Sequence, residues 1–296
     1  MIFILKLRSD RIGSLLLSIL YQLYFCSINN YFIKIDDISK LIEYKSSIYF
    51  KYILNIIEEH NKKIQVISNA VVLDTINISG PGLYDYDLCY GMGKIVQDTQ
   101  CDMITFFKNN YYNNTLCKNN NFHIPFDIDN SIVIHLRLDD MTDTKDYDGR
   151  ICSSYYINLI NNGKKTHYTN NPPQQQIIRN GFDHNTQNPL SPNKIKKELD
   201  ILLSDFPDSK IIIIASPLTK IPEMPFKYDT LIQSENYEYD LYLLTMCKKI
   251  ILSRSNFAVM SLFFGNHTHV HMPMWGHFAC AGFCTKYDKC KYSYFY

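Results

Sequence analysis

Short apolar runs alternate with amphipathic stretches along most of this chain, a rhythm that predicts an α/β fold. Ile2–Leu7, Tyr31–Ile35, Ile64–Ile67, Ile132–Leu138, Lys210–Ala215, Ile250–Leu252 and Thr268–Met272 have strand length and are rich in β-branched or aromatic residues. Helical stretches fall between them, at Leu15–Phe25, Ile48–Glu59, Tyr86–Val96, Ser153–Ile160, Asn193–Leu203, Tyr239–Cys247 and Phe257–Phe264. Ile132-Val133-Ile134 and Ile211–Ile214 show no alternation, as expected of parallel strands covered on both faces.

The polar residues set the boundaries. A surface loop is predicted over 108–123 and a turn at Ser79-Gly80-Pro81-Gly82, so an N-terminal α/β domain closes near residue 128 and a second spans 129–296. The second half repeats the β-α-β logic of a nucleotide-binding fold. Its residues 162–191, dominated by Asn, Gln, Pro and Gly, form a long loop. Near the start, Leu15–Phe25 is interrupted by Gln22 and is shorter than the roughly 20 residues of a membrane helix. It reads as a buried helix after a strand and turn, not as a signal peptide or anchor, so a cytoplasmic or otherwise soluble protein is expected.

Composition narrows the classes. The 30 basic and 29 acidic side chains among 296 residues remove the electrostatic case for a nucleic-acid or membrane-surface partner, and 46% hydrophobic content supports real cores. Nine cysteines without a CxxC pair indicate neither a disulfide framework nor a zinc ribbon. Cys280, Cys284 and Cys290 cluster, and one local bridge there needs an oxidising compartment.

Two polar constellations follow buried strands. The run Ile132–Leu136 leads into His135, Arg137, Asp139 and Asp140, an H-x-R-x-x-D pattern in which alternation puts His135 and Arg137 on one face. Ligands of open α/β sheets bind at such carboxyl ends, and an Arg there can grip a diphosphate with its planar fork. A salt bridge of Arg137 with Asp139 or Asp140 is the plainer alternative. The second constellation is Asp240, then the strand Ile250–Leu252, then Ser253-Arg254-Ser255-Asn256-Phe257 opening a helix. Hydroxyls and N–H groups at a helix start suit phosphate oxygens, although Ser255 or Asn256 also suits ordinary N-capping. Gly13, at a strand-to-helix junction, lets backbone approach a ligand or simply makes a tight turn.

His135–Asp140 resembles the H-x-R-x-x-D motif of the α1,2-, α1,6- and protein O-fucosyltransferase superfamily, and Asp240–Phe257 is similar to its second donor-site motif. Arg11–Leu15 resembles its G-x-x-G-N-like opening, with Asp10 in place of the first glycine and Ser14 in place of the asparagine. The resemblance implies a GT-B-like enzyme: two Rossmann-like domains with the active site in the cleft between them, the first on the acceptor side and the second binding the nucleotide sugar. It implies inverting, metal-independent transfer of fucose from GDP-fucose to a glycan or protein hydroxyl. Carried over, Gly13 and Arg137 serve the sugar donor, Arg137 on its diphosphate; His135 and Asp240 lie near the guanine; Ser253, Ser255, Asn256 and Phe257 complete the donor side. No cofactor and no metal are expected, since a fixed guanidinium can stabilise the leaving diphosphate.

A catalytic base is a carboxylate that accepts the acceptor hydroxyl's proton, and Asp140, Asp143 and Asp146 are the candidates. The glutamate of some relatives falls at or near Lys145 here. Asp85-Tyr86-Asp87 has the form of a metal-binding pair but suits a polar turn. His267, His269 and His271 alternate, so one strand would carry all three on one face; hydrogen-bonded histidines are favoured over a Zn²⁺ patch. The aromatic C-terminal tail is read as packing. Two alternatives stand beside the fucosyltransferase: a transferase using another nucleotide sugar, and a catalytically silent sugar- or nucleotide-binding protein on the same scaffold.

Overall fold

The computed structural model describes residues 2–5, 12–35, 47–67, 75–76, 103–111, 122–138, 189–217, 220–273 and 289–295. These form two parallel sheets with helices, an α/β architecture. The expected helices at 86–96 and 153–160, nearly all of the 162–191 loop and the Asp85-Tyr86-Asp87 pair lie outside them.

The first sheet contains β1 (Ile2–Leu5), β2 (Phe32–Ile35) and β3 (Thr75–Ile76) in the order β2-β1-β3. Between β1 and β2 runs α1 (Ile12–Asn29), whose leucines 15, 16, 17, 20 and 23 are all buried. So apolar a helix needs cover on nearly every side. The helix α2 (Ile48–Ile67) puts Ile53, Ile56, Ile57, His60 and Ile64 inside, a helical spacing that carries through the expected strand Ile64–Ile67 and replaces it. It also closes the outer edge of β2: the Asn61 amide bonds both the N–H and the carbonyl of Ile33, each at 2.8 Å. The helix α3 (Met103–Tyr111) occupies the start of the predicted 108–123 loop, anchored by buried Ile104 and Phe107.

The second sheet is built from β4 (Ser131–Leu136), β5 (Lys210–Ala215), β6 (Thr230–Ile232), β7 (Lys249–Ile251), β8 (His269–Pro273) and β9 (Lys291–Phe295). Every pairing is parallel, in the order β6-β5-β4-β7-β8-β9. Numbered within the sheet this is 3-2-1-4-5-6, and the order reverses between β4 and β7. The short β6 carries too little pattern to be read from sequence. The strand β9 forms a sheet edge and puts Phe295 of the aromatic tail in the core.

Among the described residues of this half three helices pack on the sheet: α4 (Pro192–Asp205), α5 (Tyr237–Met246) and α6 (Asn256–Phe264). Strand alternation divides the interior. Val133, Ile212, Ile214, Ile250, Leu252 and Val270 share a core with α5 and α6, while Ile132, Ile134, Ile211, Ile213 and Ile251 meet α4. The first core continues without a break into α1, α2, α3 and the first sheet. Tyr49 and Tyr52 of α2 pack on Phe264, and Phe107 of α3 on Phe263. Gly265 caps the end of α6, and a Cβ there would lie 2.7 Å from the carbonyl oxygens of both Ser261 and Thr245. No helix of the described residues is long and apolar enough to cross a membrane.

Candidate functional site at the strand-order reversal

In a parallel sheet a helix that returns between strands starts at the carboxyl edge, so α5 begins where β6 ends and α6 where β7 ends. His135 follows Val133 on the α6 side of β4, and Ser253 follows β7 across from it. The His135 Nδ1 lies 2.5 Å from the Ser253 hydroxyl oxygen. Two residues further on, Arg137 Nη1 donates to the Arg254 carbonyl at 3.0 Å. Two sequence constellations more than a hundred residues apart thus meet at the reversal point, joined by two side-chain hydrogen bonds. Arg137 is engaged at this turn as well as being half-buried.

The turn itself is tight. The Ser255 N–H donates to the Ser253 carbonyl at 2.9 Å, so Arg254 is the middle residue of a three-residue turn. Ser255 takes the N-cap position of α6 without a side-chain capping bond, leaving its buried hydroxyl for another task. Asn256 and Phe257 form the first helical positions and are half-buried. The Phe257 ring lies over the His135 imidazole, centroids 5.9 Å apart.

Gly13 sits in the first turn of α1, and a Cβ there would stand 2.6 Å from the Phe257 nitrogen. Only glycine permits this approach of α1 to α6. The space beside Gly13 is therefore filled by Phe257, a packing reason for the glycine that a strand-to-helix pattern does not reveal.

Electrostatics sets what the site can do. Burial, then the Arg137 charge, pushes His135 down to about 3, so the imidazole is neutral. A base this weak is poorly suited to holding a serine proton near neutrality. Asp240, in the first turn of α5, is 7% exposed, and its Oδ1 has no hydrogen-bond partner. Burial pushes this carboxyl up to about 7. An acceptor oxygen left in this state is costly without a donor to meet it.

Arg254 is the residue that sequence reasoning passed over. It is 1% exposed and among the largest fully buried side chains. The signal was present: an arginine between two serines immediately after a buried strand. Asp140, Asp143 and Asp146 lie outside the described residues.

The three alternating histidines separate. His267 precedes β8, and its Nε2 donates to the Leu244 carbonyl at 2.8 Å. His269 meets the Thr268 hydroxyl and the Phe206 ring, whereas His271 Nδ1 lies 2.8 Å from Glu198 of α4, both buried. The strand starts too late to carry all three on one face. Among the described residues no group of three His, Cys, Asp or Glu side chains is gathered as for a metal ion. Cys26, Cys247 and Cys290 are free thiols, all raised by burial.

Comparison of the chain with family models, with curated proteins and with solved structures returned no match.

Proposed function

We propose that the chain is a glycosyltransferase that binds a nucleoside diphosphate sugar, GDP-fucose or a chemical relative, along the carboxyl edge of the six-stranded sheet. The observation that carries this reading is the meeting of His135 and Arg137 with Ser253 and Arg254 at the strand-order reversal. Open α/β sheets bind phosphorylated ligands at such a point. Arg137 supplies the cation for the diphosphate, with the Ser255 hydroxyl and Asn256 beside it. Asp240 offers its unpartnered oxygen to N–H groups of the base. As the glycosidic bond breaks, negative charge grows on the leaving diphosphate, and a guanidinium already in place stabilises it without reorganising. The acceptor hydroxyl loses its proton to a carboxylate among Asp140, Asp143 and Asp146. A two-domain, GT-B-like arrangement would have both halves border the sugar donor, although the first turns of α1 and α6 abut at Gly13 and Phe257 and one core runs through both halves.

The test is thermal unfolding with GDP, UDP and GDP-fucose, then release of GDP from GDP-fucose with an acceptor glycan. A ligand at a hundred times its Kd stabilises by about 2.7 kcal/mol. Arg137→Ala is expected to weaken binding roughly ten- to hundredfold, the loss of a charge-assisted hydrogen bond worth about 1.5–3 kcal/mol. No shift with any of the three ligands would overturn the proposal. One observation favours a catalytically silent binder instead: Arg137 is already held by a backbone carbonyl, as a purely structural arginine would be. Nucleotide binding without turnover, or turnover unchanged in Arg137→Ala, selects that reading or removes Arg137 from the mechanism.

A further inference from the structure

The backbone ladder between β4 and β7 ends at the pair Ile134 and Ile251. Beyond it the connection passes to side chains, first His135 with Ser253, then Arg137 with the Arg254 carbonyl. These act as two further rungs. His135 and Arg137 are alternate residues on one face of one strand end, so a ring fixed at 135 limits where 137 can go. On the opposite side, Ser253 fixes the turn, and its carbonyl, bonded by the Ser255 N–H, sets how the Arg254 carbonyl presents itself. The Phe257 ring packs against the imidazole and restricts it further.

We propose that His135 and Ser253 are positioning residues: they hold the Arg137 guanidinium in one orientation for a diphosphate. This rests on the nucleotide-sugar reading for the ligand, but the ordering of Arg137 is a property of the empty protein. Three observations support it. The imidazole is buried and neutral, so it brings no charge to a ligand. Its Nδ1 is committed to Ser253. The second rung is made by the Arg137 guanidinium itself, and a guanidinium ordered in advance loses less rotamer freedom when it grips phosphate oxygens.

The experiment uses the full chain as wild type, Ser253→Ala, His135→Ala and His135→Asn, whose amide can reach the position of Nδ1. In the ligand-free protein, ¹⁵N NMR measures rotation of the Arg137 guanidinium about its Nε–Cζ bond, with the signal assigned by its disappearance in Arg137→Lys. Slow rotation is expected in wild type and His135→Asn, and fast rotation in Ser253→Ala and His135→Ala. Affinities for inorganic pyrophosphate and for GDP should both fall by the same factor, about tenfold, in Ser253→Ala, as when the outer partner of a binding group is removed. Unchanged slow rotation in Ser253→Ala overturns the proposal whatever the ligands do. Loss of GDP affinity with pyrophosphate affinity intact also overturns it, since His135 and Ser253 would then serve the base. A wild type that binds neither pyrophosphate nor GDP sinks the nucleotide-sugar reading and the ligand named here, while the rotation rates still decide whether the two residues order Arg137. If His135→Ala does not fold, Ser253→Ala and His135→Asn carry the test.

Discussion

The amino and carboxyl ends of the six-stranded sheet are finished in opposite ways. At the amino end Lys249 donates to the Asp129 carbonyl at 2.9 Å and stands over the Phe206 ring, Lys248 approaches the Asp129 carboxylate, and Lys291 the Asp205 carboxylate. Those cations meet oxygens, mostly near solvent, although His267, just before β8, is buried with its Nδ1 unpartnered. At the carboxyl end His135, Asp240, Ser253, Arg254 and Ser255 are all buried, and Asp240 keeps an oxygen without a donor. Burying polar groups costs stability unless they are matched. The difference teaches where to look for function: at the end where several buried polar side chains from distant segments meet at the strand-order reversal.

The largest test of that contrast is the pH dependence of Asp240. Burial raises its carboxyl from 3.8 to about 7 in the folded protein. A raised acid means the folded state holds the proton longer than the unfolded one, so its contribution is full below about pH 4 and is lost as pH rises through 7. Asp240→Asn should therefore stabilise the ligand-free protein increasingly from pH 4 to pH 8, by on the order of 4 kcal/mol at the upper end. A urea-unfolding difference that stays constant with pH would break the contrast. His135 has the opposite slope: lowered to about 3, it costs stability as pH falls below about 6.5, where the unfolded chain takes up the proton.

A smaller effect probes the seam that brings α1 to the same edge. Gly13→Ala should lower stability by about 1–3 kcal/mol, as overpacking does, because the new methyl group meets the Phe257 backbone. A neutral result in denaturant unfolding means that α1 and α6 do not abut as described. The smallest effect belongs to the amino end. Lys291→Ala removes an exposed pair with Asp205 and should change stability by less than about 1 kcal/mol, leaving any nucleotide-induced shift in Tm intact. A large loss of ligand response there would place function at the wrong end.

Much of this was legible because it is local. Lys210–Ala215 was read as a strand with the bounds it has, and Asn193–Leu203 as a helix within two residues of each end. Ile64–Ile67 misled because four residues with three β-branched among them fit either element, and only the buried face of α2 decides. The histidines 267, 269 and 271 are hydrogen-bonded, as expected, but do not share one strand face, because β8 begins after the first of them. Arg254 went unassigned because nothing in the sequence tells whether an arginine in a turn points into solvent or into the protein.

The sequence by itself determined the α/β rhythm, the buried character of the central strands and the residue types of both polar constellations, because periodicity and chain-local chemistry are written along one dimension. Tertiary structure alone decided that β4 and β7 are neighbours at a reversal of strand order, that the β7 turn presents a carbonyl to Arg137, and that Gly13 makes room for Phe257. Those facts depend on which distant segments pair, and parallel pairing is set by the packing of helices on both faces of the sheet, which no single stretch of the chain contains.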